Sequence, residues 1–339
     1  MNCAILGVME NDPKTLAQAI QYFTDHDNCL NYLKMRRWPD GKVICPTCGR
    51  DDVSFVPSRR FWQCKTRHPK AQFSIKTGTI LEESLLPLEK WLPVMWMVAN
   101  CKNGVSSWEI HRSLGVTQKT AWFMLHRIRL GMQDKPGFGT MTKIGGESSE
   151  VEVDETFVGG RKKNMHRERA IRYEARGGAS GKAVVQGILD RTARQMRAQV
   201  VPNVTRETLQ KEILTNVKYG TKVYTDDAVA YMDGLNARYV HEVVNKTQTY
   251  VRGRVHVNGM ENFWSLLKRG LNGTYVAVEP FHLFRYVDEQ VFRYNNRATK
   301  DNPLNDADRF SLLCSQIVGK RLTYAELTAK GDKKPEAVF

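Results

Sequence analysis

The chain has 339 residues, 41% apolar, 26% charged and 9% aromatic. This excludes collagen-like, disulfide-framework and wholly disordered classes and leaves room for two or three domains with a full core. Lys and Arg number 51 against 36 Asp and Glu, a formal net charge of +15 that favours a polyanionic partner, nucleic acid first. The longest strongly apolar run, around Trp91–Ala99, falls far short of the ~20 residues of a spanning helix. The N-terminus MNCAILGVMEND lacks the basic start of a signal peptide. The expectation is a soluble cytoplasmic protein.

Residues 1–40 read as an N-terminal helical segment, with Leu16, Ile20, Tyr22, Phe23, Leu30, Tyr32 and Leu33 near helical spacing over 13–39. Pro39-Asp40-Gly41 ends it as a turn. Cys3, Cys29, Cys101 and Cys314 are scattered and read as small buried hydrophobes. The other three cysteines cluster within 41–80: Cys45-Pro-Thr-Cys48, fifteen residues, then Cys64-Lys-Thr-Arg-His68. A Cys-x-x-Cys turn aims two sulfurs at one point, and a second pair completes the tetrahedron that thiolates and imidazole offer to Zn²⁺. Where a second Cys-x-x-Cys would end stands Arg67, which cannot ligate, so His68 is the candidate fourth ligand. Four protein ligands leave no open position; the zinc is structural and supplies folding energy to a piece too small for its own core.

Residues 81–135 read as two or three helices. NGVSSWEIHRSLGVTQKTAWFMLHRIRLGM forms a helix-turn-helix pattern around Gly115-Val116, with Ser107 capping the first helix and Thr117 the second. Gln118, Lys119 and Thr120 would then face a DNA major groove; a plain structural hairpin is the alternative. A stretch rich in Gly, Ser, Thr and Pro follows, and 136–149 is expected to be a linker.

From 150 to 300 the pattern changes to α/β with a mixed sheet. VEVDETFV, KAVVQGILD and MRAQVVP read as three antiparallel-looking strands, Thr205–Val217 as a helix capped by Thr205, and KVYTDD and YVHEVV as two further strands. Helices follow at Met260–Leu271 and 279–297, and 301–339 is expected to be a C-terminal tail. Gly160–Lys182 carries eight Lys and Arg, among them Arg161, Lys162 and Lys163, and reads as an exposed loop suited to phosphate contact.

Three carboxylates have comparable settings. Asp154 lies in VEVDET, Asp226 ends VYTD, and Glu261 stands near the start of the helix in HVNGMENFWSLLKRG. Two strand-borne aspartates and a helix-borne acid can meet at a sheet edge and bind two Mg²⁺ or Mn²⁺ ions for phosphodiester transfer. On that helix Asn258, Glu261, Ser265 and Lys268 fall within a sector of about 80°, opposite Met260, Phe263, Trp264 and Leu267. Lys268, with Arg269 beside it, is placed to contact DNA phosphate. Each acid has rivals: Glu152 and Glu155 for Asp154, Asp227 for Asp226, and Asn258 for Glu261.

The ordered set CPTCG, WQCKTRHPKAQFSIKTGTI, LPLEKW, VEVDETFVGG, VYTDDAVAY, HVNGMENFWSLLKRG and FRYNNR resembles insertion-sequence transposases of the ISXO-like group, within the DDE superfamily, over about residues 20–300. The resemblance implies a ribonuclease H-like catalytic domain preceded by the zinc ribbon and the helix-turn-helix region. It implies cleavage at element ends and strand transfer into target DNA in a bacterial or archaeal cell. It implies Asp154 and Asp226 as the first two catalytic acids and either Glu261 or Asn258 as the third, the charge of Glu261 and its spacing to Lys268 favouring Glu261. It also implies terminal inverted repeats as the DNA bound and a dimer or higher assembly on paired ends. Two competing functions are a DNA-binding regulator on a dead catalytic fold and a ribonuclease H-like nuclease that cuts without joining.

Overall fold

The computed structural model describes residues 12–133, 143–159, 182–226, 229–231, 234–235, 237–244, 253–300 and 302–328. The chain divides into two units, residues 1–134 with 296–339, and residues 135–295. Among the described residues no helix is long and apolar enough to cross a membrane.

In the first unit the helical pattern over 13–39 is split in two. Thr15 and Gln18 form a capping box on α1 (Leu16–Tyr22), and Asp25 caps α2 (His26–Arg37) by accepting from the Asp27 and Asn28 N–H groups. An N-cap needs extended backbone, so the cap at Asp25 breaks one periodic pattern into two helices. A three-stranded antiparallel sheet follows in the order β1 (Val53–Val56), β2 (Phe61–Cys64), β3 (Gln72–Phe73). Trp62 of β2 packs between Trp38, Phe55 and Phe73, with ring centroids 5.1–5.9 Å away.

Helices α3 (Leu88–Asn100), α4 (Ser107–Leu114) and α5 (Gln118–Met132) complete the sequential part of this unit. Ser106, not Ser107, caps α4. Ser106 is extended at φ −77°, ψ 155° and exchanges bonds with Glu109 in a capping box, whereas Ser107 is already helical. Gly115 takes the left-handed conformation that ends α4, and Thr117 accepts from the Thr120 N–H to start α5.

The stretch expected as a tail from 301 folds back into this unit as helices at Asp306–Gln316 and Tyr324–Thr328. Phe310 lies against Phe23, Tyr32 and Trp96 with centroids 5.0–5.6 Å apart. Buried Arg36 reaches both Asp12 and Ser311. The short apolar run around Phe310 reads as weak alone; its partners lie far upstream in the chain.

The second unit is a five-stranded sheet. Strands β4 (Glu150–Val158), β5 (Ala183–Asp190) and β6 (Gln195–Val201) pair antiparallel. Helix α6 (Arg206–Asn216), capped by Thr205, leads to β7 (Lys222–Asp226), which is parallel to β4, and β8 (Val240–Val244) is parallel to β7. The spatial order is β6-β5-β4-β7-β8. Strand alternation divides the faces. Val151, Val153 and Val223 meet Leu209 and Ile213 of α6. Val185, Leu189 and Met196 meet α7 (Asn258–Arg269) and α8 (Leu283–Asn295) on the other face. Residues 143–149 of the expected linker are part of this unit: Ile144 bridges Val217 and is buried in its core. The loop positions Arg161, Lys162 and Lys163, and Asp227, lie outside the described residues.

Candidate functional site

The structure brings together all four ligands expected for the metal cluster. One ligand atom from each of Cys45, Cys48, Cys64 and His68 lies within 4.8 Å of every other. The Cys48 and Cys64 sulfurs are 3.7 Å apart, and Cys45 Sγ is 3.5 Å from His68 Nε2. A tetrahedral zinc with Zn–S of about 2.3 Å and Zn–N of about 2.0 Å separates two sulfurs by about 3.8 Å and a sulfur from a nitrogen by about 3.5 Å. The donors therefore fit. His68 Nδ1 is 2.7 Å from the Pro69 carbonyl, which fixes Nδ1 as the protonated nitrogen and turns Nε2 to the cluster.

The expected acids lie apart from this group, and among the described residues their ligand atoms do not gather as the ribbon's do. Two of them, Asp154 and Asp226, stand on the α7 face of the sheet. The β4–β7 register pairs Glu150 with Lys222, Val151 with Val223 and Glu152 with Tyr224. Two residues beyond the last pair, on both strands, stand Asp154 and Asp226. They share a face because side chains alternate with period two. The face is fixed by two bonds to α7: the Met260 N–H donates to Glu152 Oε2 at 2.9 Å, and the Trp264 indole donates to Asp154 Oδ2 at 3.0 Å.

One hydroxyl registers both aspartates. Tyr231 donates to Glu155 Oε2 at 2.6 Å. Burial first, then Glu155, then Asp154 and Asp226 hold its hydroxyl well above the ordinary tyrosine range. The rivals on β4 separate physically. Glu155 is turned to Tyr231 by strand alternation. Glu152 is 1% exposed and committed to the α7 backbone and Arg191.

Glu261 approaches from α7. Down the helix axis Phe263 lies about 100° to one side of Trp264, while Glu261 lies about 60° and Lys268 about 40° to the other. Phe263 meets Tyr294 of α8 at 5.3 Å, and α8 packs on β6. The Glu261 side of α7 is thus the side away from α8, and α7 itself packs on β4 and β5. Asn258, the first residue of α7, is rotated about 120° from Trp264, further from the sheet. Glu261, Asn258, Lys268 and Arg269 are all exposed.

Several residues of this face carry no signal as acids or ligands in the sequence. Trp264 reads as plain core but grips Asp154. Gly187 pairs with Asp154 across β4–β5, and a Cβ there would stand 2.3 Å from Met260 Cε and 2.9 Å from the Trp264 ring. A lone glycine inside an apolar strand is the one readable trace of that close approach. At the start of α5, Gln118 donates to Ser107 Oγ at 2.9 Å, the Lys119 ammonium sits 4.6 Å from the Tyr324 ring centroid, and Thr120 joins the Thr117 cap.

Comparison with known proteins agrees with this layout. An uncharacterized protein in transposable element ISH50 of Halobacterium salinarum is 27% identical over 264 residues, 75% of this chain and 85% of that protein. An uncharacterized transposase-like protein of Haemophilus influenzae is 33% identical over 102 residues, 30% of this chain and 81% of that protein. A simian T-cell lymphotropic virus intasome aligns at a TM-score of 0.29 and 11% identity, over 62% of this chain and 72% of that one, too low to carry an argument. The transposase zinc-ribbon domain matches residues 24–66 and the ISXO2-like transposase domain matches residues 144–295, the sheet unit with both aspartates and α7. The chain belongs to the ISXO2-like insertion-sequence transposases.

Proposed function

We propose that this transposase cleaves the ends of its own insertion sequence and joins them to target DNA at the α7 face of a ribonuclease H-like sheet. One arrangement carries the reading: Asp154, within β4, and Asp226, at the end of the adjacent parallel strand β7, share the face that α7 covers, and α7 bonds Asp154 through Trp264 and carries Glu261. Three carboxylates are hard oxygen donors that suit Mg²⁺ or Mn²⁺. Bound there, two such ions would activate the attacking water or 3′-hydroxyl and stabilise the leaving oxygen.

The chain's own groups have separate tasks. Asp154 and Asp226 provide the fixed donors, since both stand on paired strands. Trp264 holds one Asp154 oxygen, which limits rotation of that carboxylate. Glu261 is the third donor in preference to Asn258, because it carries charge and is rotated closer to the sheet. Lys268, with Arg269 beside it, lies two turns further along α7 and binds the phosphate backbone of the DNA being cut.

The zinc ribbon and the α4–turn–α5 pair would recognise the terminal inverted repeats, with Zn²⁺ as the ribbon's ion and a homo-oligomer holding paired ends. Gln118, Lys119 and Thr120 remain the base-reading candidates if their bonds to Ser107, Tyr324 and Thr117 open on binding. The basic loop with Arg161, Lys162 and Lys163 would add phosphate contacts.

The test is a cleavage and joining assay on DNA carrying the element's own end, with Mg²⁺ or Mn²⁺, comparing wild type with Asp154→Asn, Glu261→Ala and Asn258→Ala. Loss in Asp154→Asn and Glu261→Ala, with activity kept in Asn258→Ala, is expected. Loss only in Asn258→Ala would move the third position. Wild type that binds this DNA and never cuts it would make the protein a DNA-binding regulator, and cutting without joining would make it a nuclease.

A further inference from the structure

Helix α7 has no cap from its N-cap residue; the one local acceptor is His256 Nδ1, 3.4 Å from the Asn258 N–H. Its N-cap position is Val257, whose side chain accepts nothing, although the helix begins at the residues that matter most for the site. A helix start leaves backbone N–H groups unbonded, and a buried start without partners is costly. Here the partner comes from the sheet. Glu152 Oε2 accepts the Met260 N–H at 2.9 Å, at the third helical position, where a capping side chain ordinarily acts. A carboxylate also suits the positive end of the helix dipole. The fit is close: a Cβ on Gly259 would stand 3.0 Å from Glu152 Oε2 and 2.4 Å from Leu189 Cδ2.

Glu152 is itself held. The Arg191 guanidinium donates to Glu152 Oε1 at 2.5 Å and to Glu150 Oε2 at 3.3 Å. The same group donates to the Arg254 carbonyl at 2.6 Å, the His256 carbonyl at 2.6 Å and His256 Nδ1 at 2.7 Å. One planar fork thus ties the start of β4 to Arg254 and His256 in the segment that leads into α7. Arg191 is anchored in turn by the tight turn after β5, where its N–H donates to the Glu150 carbonyl at 2.9 Å and Asp190 accepts from Thr192 and Ala193.

We infer that Glu152 and Arg191 are positioning residues that cap α7 from the sheet and so set Glu261 against Asp154. The inference rests on Glu261 being a catalytic donor. Glu152 and Asp154 are two residues apart on one strand face. Fixing the helix at Glu152 and gripping it again at Trp264 sets both its height and its rotation over the aspartates. Met260 and Trp264, four residues apart, span about 6 Å of helix, close to the ~6.6 Å between Glu152 and Asp154 along the strand. Neither Glu152 nor Arg191 needs to touch DNA or metal for this role.

The test uses the full chain with Arg191→Lys, which keeps the charge and loses the fork, and Glu152→Gln, which keeps an acceptor for Met260 and loses the ion pair. Amide hydrogen exchange is read over 253–262 and over β4 and β5, beside DNA affinity and the single-turnover rate of cleavage. Arg191→Lys should raise exchange at 253–262 about tenfold or more and lower the rate by about 10–100-fold, with strand exchange and DNA affinity unchanged. Glu152→Gln should be milder in both. Exchange rising equally through the whole sheet would reduce the pair to general stability and overturn the inference, as would unchanged exchange at 253–262. Increased exchange there with a full cleavage rate would leave the cap but overturn its role in catalysis. The exchange readout stands apart from the identity of the third acid: full activity in Glu261→Ala would sink the functional reading and leave the exchange result as it is.

Discussion

The ribbon and the sheet unit organise their functional side chains in opposite ways. In the ribbon, four ligand atoms crowd within 4.8 Å on the turns around short strands whose apolar support is a few rings around Trp62. Three sulfurs and an imidazole at these distances make a set of donors that a metal ion can hold. In the sheet unit, apolar layers cover both faces of the strands, and Glu152 and Asp154 within β4 take backbone and indole partners from α7. The ribbon's side chains are arranged as a ligand set, whereas those of the sheet unit are held by the fold itself.

The largest effect that could break this contrast is metal removal. Zinc contributes about 10–16 kcal/mol to folding in small metal-dependent domains. Chelation, or Cys64→Ser, should therefore unfold 45–73 while leaving the sheet unit folded. Zinc content and limited proteolysis across the two units check this; a ribbon that stays protected without metal would erase the distinction.

A smaller effect tests whether the sheet unit depends on packing. In Gly187→Ala the new Cβ would press on Met260 and Trp264, and such overpacking costs about 1–3 kcal/mol. Urea unfolding followed through Trp264-containing fragments should show the loss in the sheet unit with the ribbon's metal content unchanged.

The smallest effects lie at helix starts in the first unit. Thr117→Ala removes the α5 cap and should cost about 1 kcal/mol in thermal unfolding. Glu109, whose carboxylate accepts the Ser106 N–H, is held below its ordinary value of 4.5 first by that bond. A depressed carboxyl stabilises the fold above its unfolded value and loses that contribution as pH falls through the folded one. Acid should therefore weaken the start of α4 in wild type, and Glu109→Gln should flatten that dependence, as read by thermal unfolding between pH 3 and about 6.

The strands, the α6 cap at Thr205 and the gathering of Cys45, Cys48, Cys64 and His68 were legible because each is a local pattern: alternation, a cap residue, a spacing. What escaped is non-local. Asp25 splits a helix by a backbone choice that apolar periodicity does not encode. Phe310 reads as tail until Phe23, Tyr32 and Trp96 stand around it. Trp264 counts as core by its spacing, and only the register of β4 under α7 reveals that its N–H reaches Asp154. Glu152 looked like a rival to Asp154 because composition cannot tell an acid that holds a helix from one that faces solvent.

The insertion of residues 135–295 into the first unit has a consequence for how the protein is made. The aromatic interior of that unit cannot close until Phe310 has left the ribosome, after the whole sheet has been synthesised. The order of completion therefore reverses the usual N-terminal-first order. A chain stopped short of Phe310 would hold all five strands of the sheet but would lack the ring that Phe23, Tyr32 and Trp96 pack against.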